Sequence, residues 1–130
     1  FLLGNICFEN GEFKEAMDYY MLSAQRSREL FTPVLLKIGD MYLYGHGMDK
    51  PDKLRACDWY IKAADKYDEK SYYRGDSEEA MLKIGRIYLD GGENIPRDLE
   101  KARLWLKKAA DVGNLKAILL LDELNNLPQN

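Results

Sequence analysis

The chain has 130 residues, 46% hydrophobic and 32% charged, a balance that suits one folded domain. Its 19 basic and 22 acidic side chains leave a net charge of -3, without the basic stripe that nucleic acid requires. No apolar run approaches the roughly 20 residues of a membrane span, so no membrane insertion by this segment is expected.

In chain order, residues 1–9 and 12–30 read as a first pair of helices, split by Asn10-Gly11. Residues 33–44 carry Leu35, Ile38, Met41 and Tyr42 at helical spacing, with Thr32 as the expected N-cap and Pro33 in the first turn. Gly45-His46-Gly47 stops that helix. Asp52 offers an N-cap for residues 53–66, and Asp76 or Ser77 is expected to start the next helix, which runs to Asp90. Gly91-Gly92 ends it, Asp98 caps residues 99–111, and Gly113-Asn114 closes that element. A last helix over 115–126 is almost entirely Leu, Ile and Ala on one side. Seven helices and no strand are expected.

Two of these stretches are copies. Lys37-Ile38-Gly39, Tyr42, Gly45, Asp52, Ala56, Trp59 and Ala63-Ala64 recur as Lys83-Ile84-Gly85, Tyr88, Gly91, Asp98, Ala102, Trp105 and Ala109-Ala110, each a step of 46 residues on. A weaker copy upstream matches Leu3-Gly4 to Ile38-Gly39, and Ala16 and Tyr20 to Ala56 and Tyr60. A half copy at the end matches Ala117 to Ala80 and Leu121 to Ile84, with Asp122 in place of the glycine. Such a period marks a stacked helical array with atypical terminal units. Glycine and alanine let paired helices approach closely, and the Tyr and Trp rings fill the space between turns.

The combined pattern, Ile-Gly-x-x-Tyr-x-x-Gly, a loop, Asp, then Arg/Lys-Ala-x-x-Trp-x-x-Lys-Ala-Ala, resembles the Sel1-like repeat, a relative of the tetratricopeptide repeat. The resemblance implies an all-α fold: a right-handed α-α superhelix, a solenoid of about three helix-turn-helix repeats (about 1–32, 33–76 and 77–113) with a C-terminal capping helix over 114–127. The family unit is about 36 residues, close to that of its relatives. The surplus here falls on 66–76, expected to be partly a helix extension and partly a loop with its tyrosines packed down. The start at Phe1, without methionine, reads as a fragment of a longer protein.

No catalytic constellation emerges. His46, the single imidazole, lies between two glycines and reads as a solvated turn residue. Cys7 and Cys57 fall on apolar helix faces without a CxxC spacing. They read as two buried free thiols, and with one histidine they build no usual zinc site. No cofactor or metal is expected, and the unpaired thiols lean toward a reducing compartment.

What remains is recognition. By similarity to tetratricopeptide repeats, the position after the glycine and the one four further on face the concave surface. These are Asn5 and Glu9, Asp40 and Tyr44, and Arg86 and Asp90, with Glu79 one turn and more before Arg86. The set is mostly acidic, which points to a protein or peptide with basic and apolar anchors. The expectation is a non-catalytic scaffold or adaptor rather than an enzyme. The alternative is a structural or regulatory arm of an enzyme or membrane protein whose other domain lies outside this segment. The apolar last helix leaves self-association open.

Overall fold

The computed structural model describes residues 1–26 and 31–127, and among these it contains seven helices. They are α1 (Leu2–Glu9), α2 (Phe13–Arg26), α3 (Thr32–Tyr44), α4 (Lys53–Ala64), α5 (Arg74–Asp90), α6 (Leu99–Asp111) and α7 (Leu115–Asn125). Each helix packs on its neighbours in the chain, and α3 also meets α5. The odd-numbered helices are thus the first members of each pair and the even-numbered the second. Among the described residues the nearest thing to a strand is an isolated antiparallel bridge between Gly92 and Ile95.

Local chemistry sets these boundaries. The carboxylates of Asp52 and Asp98 each accept the backbone N–H three residues on, at Arg55 and Lys101, both at 3.0 Å. Asn114 caps α7 in the same way through Ala117 N–H. The loops between pair members close identically: Asp52 N–H donates to the Tyr42 carbonyl and Asp98 N–H to the Tyr88 carbonyl, each at 2.8 Å. Gly45 ends α3 at φ 72°, where a Cβ would also stand 2.9 Å from the nitrogen of Pro51.

Three boundaries differ from expectation. Thr32 is the first helical residue of α3, buried, and Phe31 holds the N-cap position without a side-chain cap. α5 starts at Arg74 rather than Asp76 or Ser77, because the N–H groups of Asp76 and Ser77 both bond the Tyr73 carbonyl and add a turn. α4 ends at Ala64, short of residue 66. The expected extension of the second helix beyond Arg26 falls on residues 27–30, outside the described residues.

Two apolar clusters form the core. One joins α2 to α3 through Ala16, Tyr20, Ala24, Val34, Ile38 and Met41. The other runs from α3 to α7 and includes Ala56, Tyr60, Ile84, Ala102, Leu106 and Leu124. The glycines of the repeat sit where large side chains of the second helices cross them, tyrosine rings in the first two pairs and a leucine in the third. A Cβ at Gly4 would come within 2.5 Å of Tyr20 Cε1, one at Gly39 within 2.5 Å of Tyr60 Cε1, and one at Gly85 within 2.7 Å of Leu106 Cδ2. Trp59 and Trp105 are half-buried against the larger cluster. Their outer faces carry ammonium groups, Lys62 at 4.2 Å and Lys108 at 4.3 Å from the ring centroids. Arg55 over Tyr42 and Lys101 over Tyr88 repeat the arrangement two turns earlier. The basic residues that flank each repeated alanine therefore cover the repeated rings.

The 66–76 segment is partly pinned. Tyr67 packs on the core and Tyr73 meets Phe31 edge-on at 4.8 Å, but Tyr72 is 92% exposed. His46 is not a solvated turn residue. It is half-buried, with its ring 5.0 Å from Phe8 and 4.6 Å from Phe13, so the turn after α3 packs back on the first pair. Cys57 is buried and free, whereas Cys7 is free but only partly buried.

Candidate functional site

The first-type helices place all of the expected binding residues but Asp40 in three grooves. Asn5 and Glu9 of α1, with Phe8 and Lys37, line a groove of about 280 Å³. Tyr44 of α3 and Arg86 and Asp90 of α5 meet in a second, about 330 Å³, with Leu43 and Ile87 between them. Glu79 and Arg86 border a third, about 480 Å³, that reaches Asn114 and Lys116 at the head of α7. Lys83 and Arg86 line both of the last two and join them.

Asp40 stands apart from the rest. Its Oδ1 accepts from Tyr60 Oη and from Lys83 Nζ, both at 2.5 Å. It thus links α3 to α4 and to α5. Asn5 plays the same part in the first pair, its Oδ1 accepting from Tyr20 Oη at 2.7 Å. The residue after each of the first two glycines therefore latches the ring that crosses that glycine. Arg86 holds this place in the third pair. Leu106, without a hydroxyl, crosses its glycine, and the guanidinium is left exposed without an ion pair among the described residues.

The latch sets the local electrostatics. Burial, and then the charge of Asp40 beside it, drive the Tyr60 hydroxyl far above its ordinary value, so it stays a donor at any working pH. Burial alone would lower the Lys83 ammonium. The hydrogen bond that Lys83 donates to Asp40 and the charges of Asp40 and Glu79 outweigh it, and the net displacement is upward. Glu79 Oε1 lies 3.4 Å from the same ammonium. Tyr44, by contrast, is 60% exposed.

Sequence reasoning missed four cations at these grooves: Lys37, Lys53, Lys83 and Lys116. Lys37 and Lys83 hold the same place in both copies, two residues before the glycine, and that recurrence was the available signal. Their presence makes the lining mixed in sign rather than predominantly acidic. A fourth cavity, about 570 Å³, lies on the loop edge between Met17, Tyr42, Met48 and Arg55, flanked by the exposed pair Lys50–Glu93.

Among the described residues no three His, Cys, Asp or Glu side chains gather as a metal site would need, and no helix is long and apolar enough to cross a membrane. Burial raises the Cys57 thiol above its ordinary value, outweighing the opposing effects of Tyr88 and Lys101, and so favours its protonated form.

Stacked two-helix units, each closed by a large side chain crossing a glycine, with grooves along the first helices, define a helical-repeat protein of solenoid type. The Sel1 repeat pattern matches residues 34–68 and 78–114, more than half of the chain, and the chain belongs to the Sel1 repeat family. It is 34% identical over 67 residues to cytochrome c oxidase assembly factor 7 of Xenopus tropicalis, a match covering 52% of this chain and 25% of that protein. It is 35% identical over 75 residues to activator of C kinase protein 1 of Saccharomyces cerevisiae, covering 58% of this chain and 10% of the other. A match to chitin synthase regulatory factor 3 of Schizosaccharomyces pombe reaches 30% identity over 121 residues, 85% of this chain and 12% of that one. The chain thus spans between 10% and 25% of the length of these relatives.

Proposed function

We propose that this chain is a non-catalytic adaptor module that holds a peptide or protein segment along α1, α3, α5 and the head of α7. The observation that carries the reading is the junction at Arg86. An exposed guanidinium, without an ion pair among the described residues, joins two grooves, one lined by Leu43, Ile87 and the exposed Tyr44 ring and the other by Leu82 and Leu115. Aromatic rings and arginines on an apolar floor are the usual anchors of protein recognition. Asn5, Glu9, Asp40, Tyr44, Glu79, Arg86 and Asp90 remain the assigned face. Asp40 and Asn5 act there by shaping it, and Tyr44, Arg86, Asp90 and Glu9 by touching the partner. Basic side chains of that partner would meet Asp90, Glu79 and Glu9, its apolar anchors Tyr44 and Leu43, and one acidic group Arg86. The names of the relatives, an assembly factor, an activator and a regulatory factor, support a role carried out on other proteins.

The test compares proteins retained by the immobilised wild-type chain with those retained by Tyr44→Ala/Arg86→Glu, quantified together by mass spectrometry. A partner lost from the double variant but kept by Tyr72→Ala, on the 66–76 segment, supports the assignment. Equal retention by all three sinks it. A second reading, a structural or regulatory arm of a larger enzyme or membrane protein, is favoured by the small share of each relative that this chain spans. A catalytic or transmembrane domain in the same polypeptide would decide for it.

A further inference from the structure

The groove between α3 and α5 lies inside the array. α2 and α4 pack on α3, and α4 and α6 pack on α5, so its lining does not depend on either end of the chain. Three cations line it, Lys53, Lys83 and Arg86, against one carboxylate, Asp90. The three are not equivalent. Lys83 Nζ is neutralised by Asp40, with Glu79 Oε1 3.4 Å away. Lys53 Nζ donates to the Gly91 carbonyl at 2.6 Å, a bond that fixes the ammonium in place and leaves its charge uncompensated. Arg86 and Asp90 are exposed and have no ion pair among the described residues. Two uncompensated positive charges thus face one negative charge, in a chain whose net charge is -3.

The preceding groove, between α1 and α3, uses the same positions with different charges. Asp40 holds the place of Arg86, Glu9 that of Tyr44 and Phe13 that of Lys53. The cation in its lining, Lys37, lies over the Phe8 ring, 4.5 Å from the centroid. From one groove to the next the sign reverses at the place after the glycine. A ring replaces a carboxylate at the place four further on.

On the groove assignment made above, we propose that the α3–α5 groove selects an acidic side chain of the bound segment, held between Lys53 and Arg86, with an apolar residue beside it on Leu43, Ile87 and Tyr44. A carboxylate there gains charge-assisted hydrogen bonds from two cations whose charge nothing in the groove cancels. A lysine or arginine in its place meets like charge. The two cations play different parts. The ammonium of Lys53 is already held by a carbonyl and is ordered before the partner arrives. Arg86 brings a planar fork of donors that can close on both carboxylate oxygens.

The probe is a phage library of random 12-residue peptides, each fused to the coat protein at its C-terminus, so that only a side chain can supply the carboxylate. It is selected on the immobilised 130-residue chain and on Arg86→Glu, Tyr44→Ala and Lys66→Glu, the last an equal change of charge outside the groove. The unaltered chain and Lys66→Glu should enrich peptides with Asp or Glu beside an apolar residue. Arg86→Glu should enrich Lys or Arg at that place. A fluorescein-labelled peptide selected on the unaltered chain should bind Arg86→Glu at least about tenfold more weakly. Lys53→Gln should weaken it less, and both changes should flatten its salt dependence. Far-UV circular dichroism reports whether each variant is folded. If Lys53→Gln unfolds, Arg86→Glu, at an exposed position, decides alone. Selected peptides that need Tyr44 but carry no acid and ignore Arg86→Glu overturn this inference and leave the groove assignment standing. Peptides indifferent to Tyr44→Ala as well, or no enrichment at all, count against both.

Discussion

Tyr60 is gripped along its whole length: its ring crosses Gly39 and its hydroxyl ends on Asp40. A ring so held cannot move aside for a new methyl group. Gly39→Ala should therefore destabilise the chain by about 1–3 kcal/mol in a urea melt, the cost of overpacking. Gly75→Ala, with nothing within 4 Å of the added carbon, should instead stabilise it by about 0.5–1 kcal/mol. Asp40→Ala strips the acceptor from both Tyr60 and Lys83, and a loss of about 2–3 kcal/mol is expected for stranding two partly buried donors. Asp40→Asn, which keeps an acceptor, should recover part of that loss. Equal melts for the two variants would show that the latch does not matter. Asp40 is also where sequence reading reached its limit. Its place after the glycine was legible, but its commitment to Tyr60 and Lys83 was not, because that depends on which helix face lies opposite.

At the scale of the element, the aspartate caps of the second-type helices were legible, whereas the starts of α3 and α5 were not. Asp52 and Asp98 stand three residues before an N–H that needs an acceptor, a local relation that sequence spacing displays directly, and Asn114, read in the sequence only as the close of the preceding helix, caps α7 in the same way. Asp52 also accepts from Asn94 Nδ2 on the next loop. The Arg55 N–H first, and then Asn94, hold its carboxyl below the usual carboxylate range. A depressed folded pKa stabilises above the unfolded value near 3.8 and is lost as pH falls through the folded value. Asp52→Ala should thus cost about 1 kcal/mol at neutral pH and reduce the slope of the acid limb below pH 4. An unchanged acid limb would contradict that assignment. Ser77 shows why the start of α5 was misread. It aligns with the N-cap positions of α3 and α7, Phe31 and Asn114, but the inserted segment before it has wound into an extra helical turn. Its Oγ is left buried without a partner. A serine at a cap position predicts a helix start only when the residues before it are not themselves helical.

The whole molecule follows from the repetition of one crossing. The order of helices, their pairing and the burial of Ile38 and Ile84 were all legible in the 46-residue step, because a copied motif must meet copied surroundings. The tryptophans are less deeply set than their repetition suggested, since each outer face is covered by a lysine. Trp105→Ala should cost about 2–3 kcal/mol, below the ~3–5 kcal/mol of a fully buried ring, and a neutral melt would remove it from the core. The sign of the groove was misread for a related reason. Lys37, Lys53, Lys83 and Lys116 reach it from helix positions that a count forward from each glycine does not visit. The adaptor role rests on that groove, and the most direct test is covalent. A photoreactive residue placed at position 44 or 86 of the full-length protein should form an adduct with the same partner protein, and one at position 104, on the exposed side of α6, should not. Adducts from position 104 alone would contradict the account.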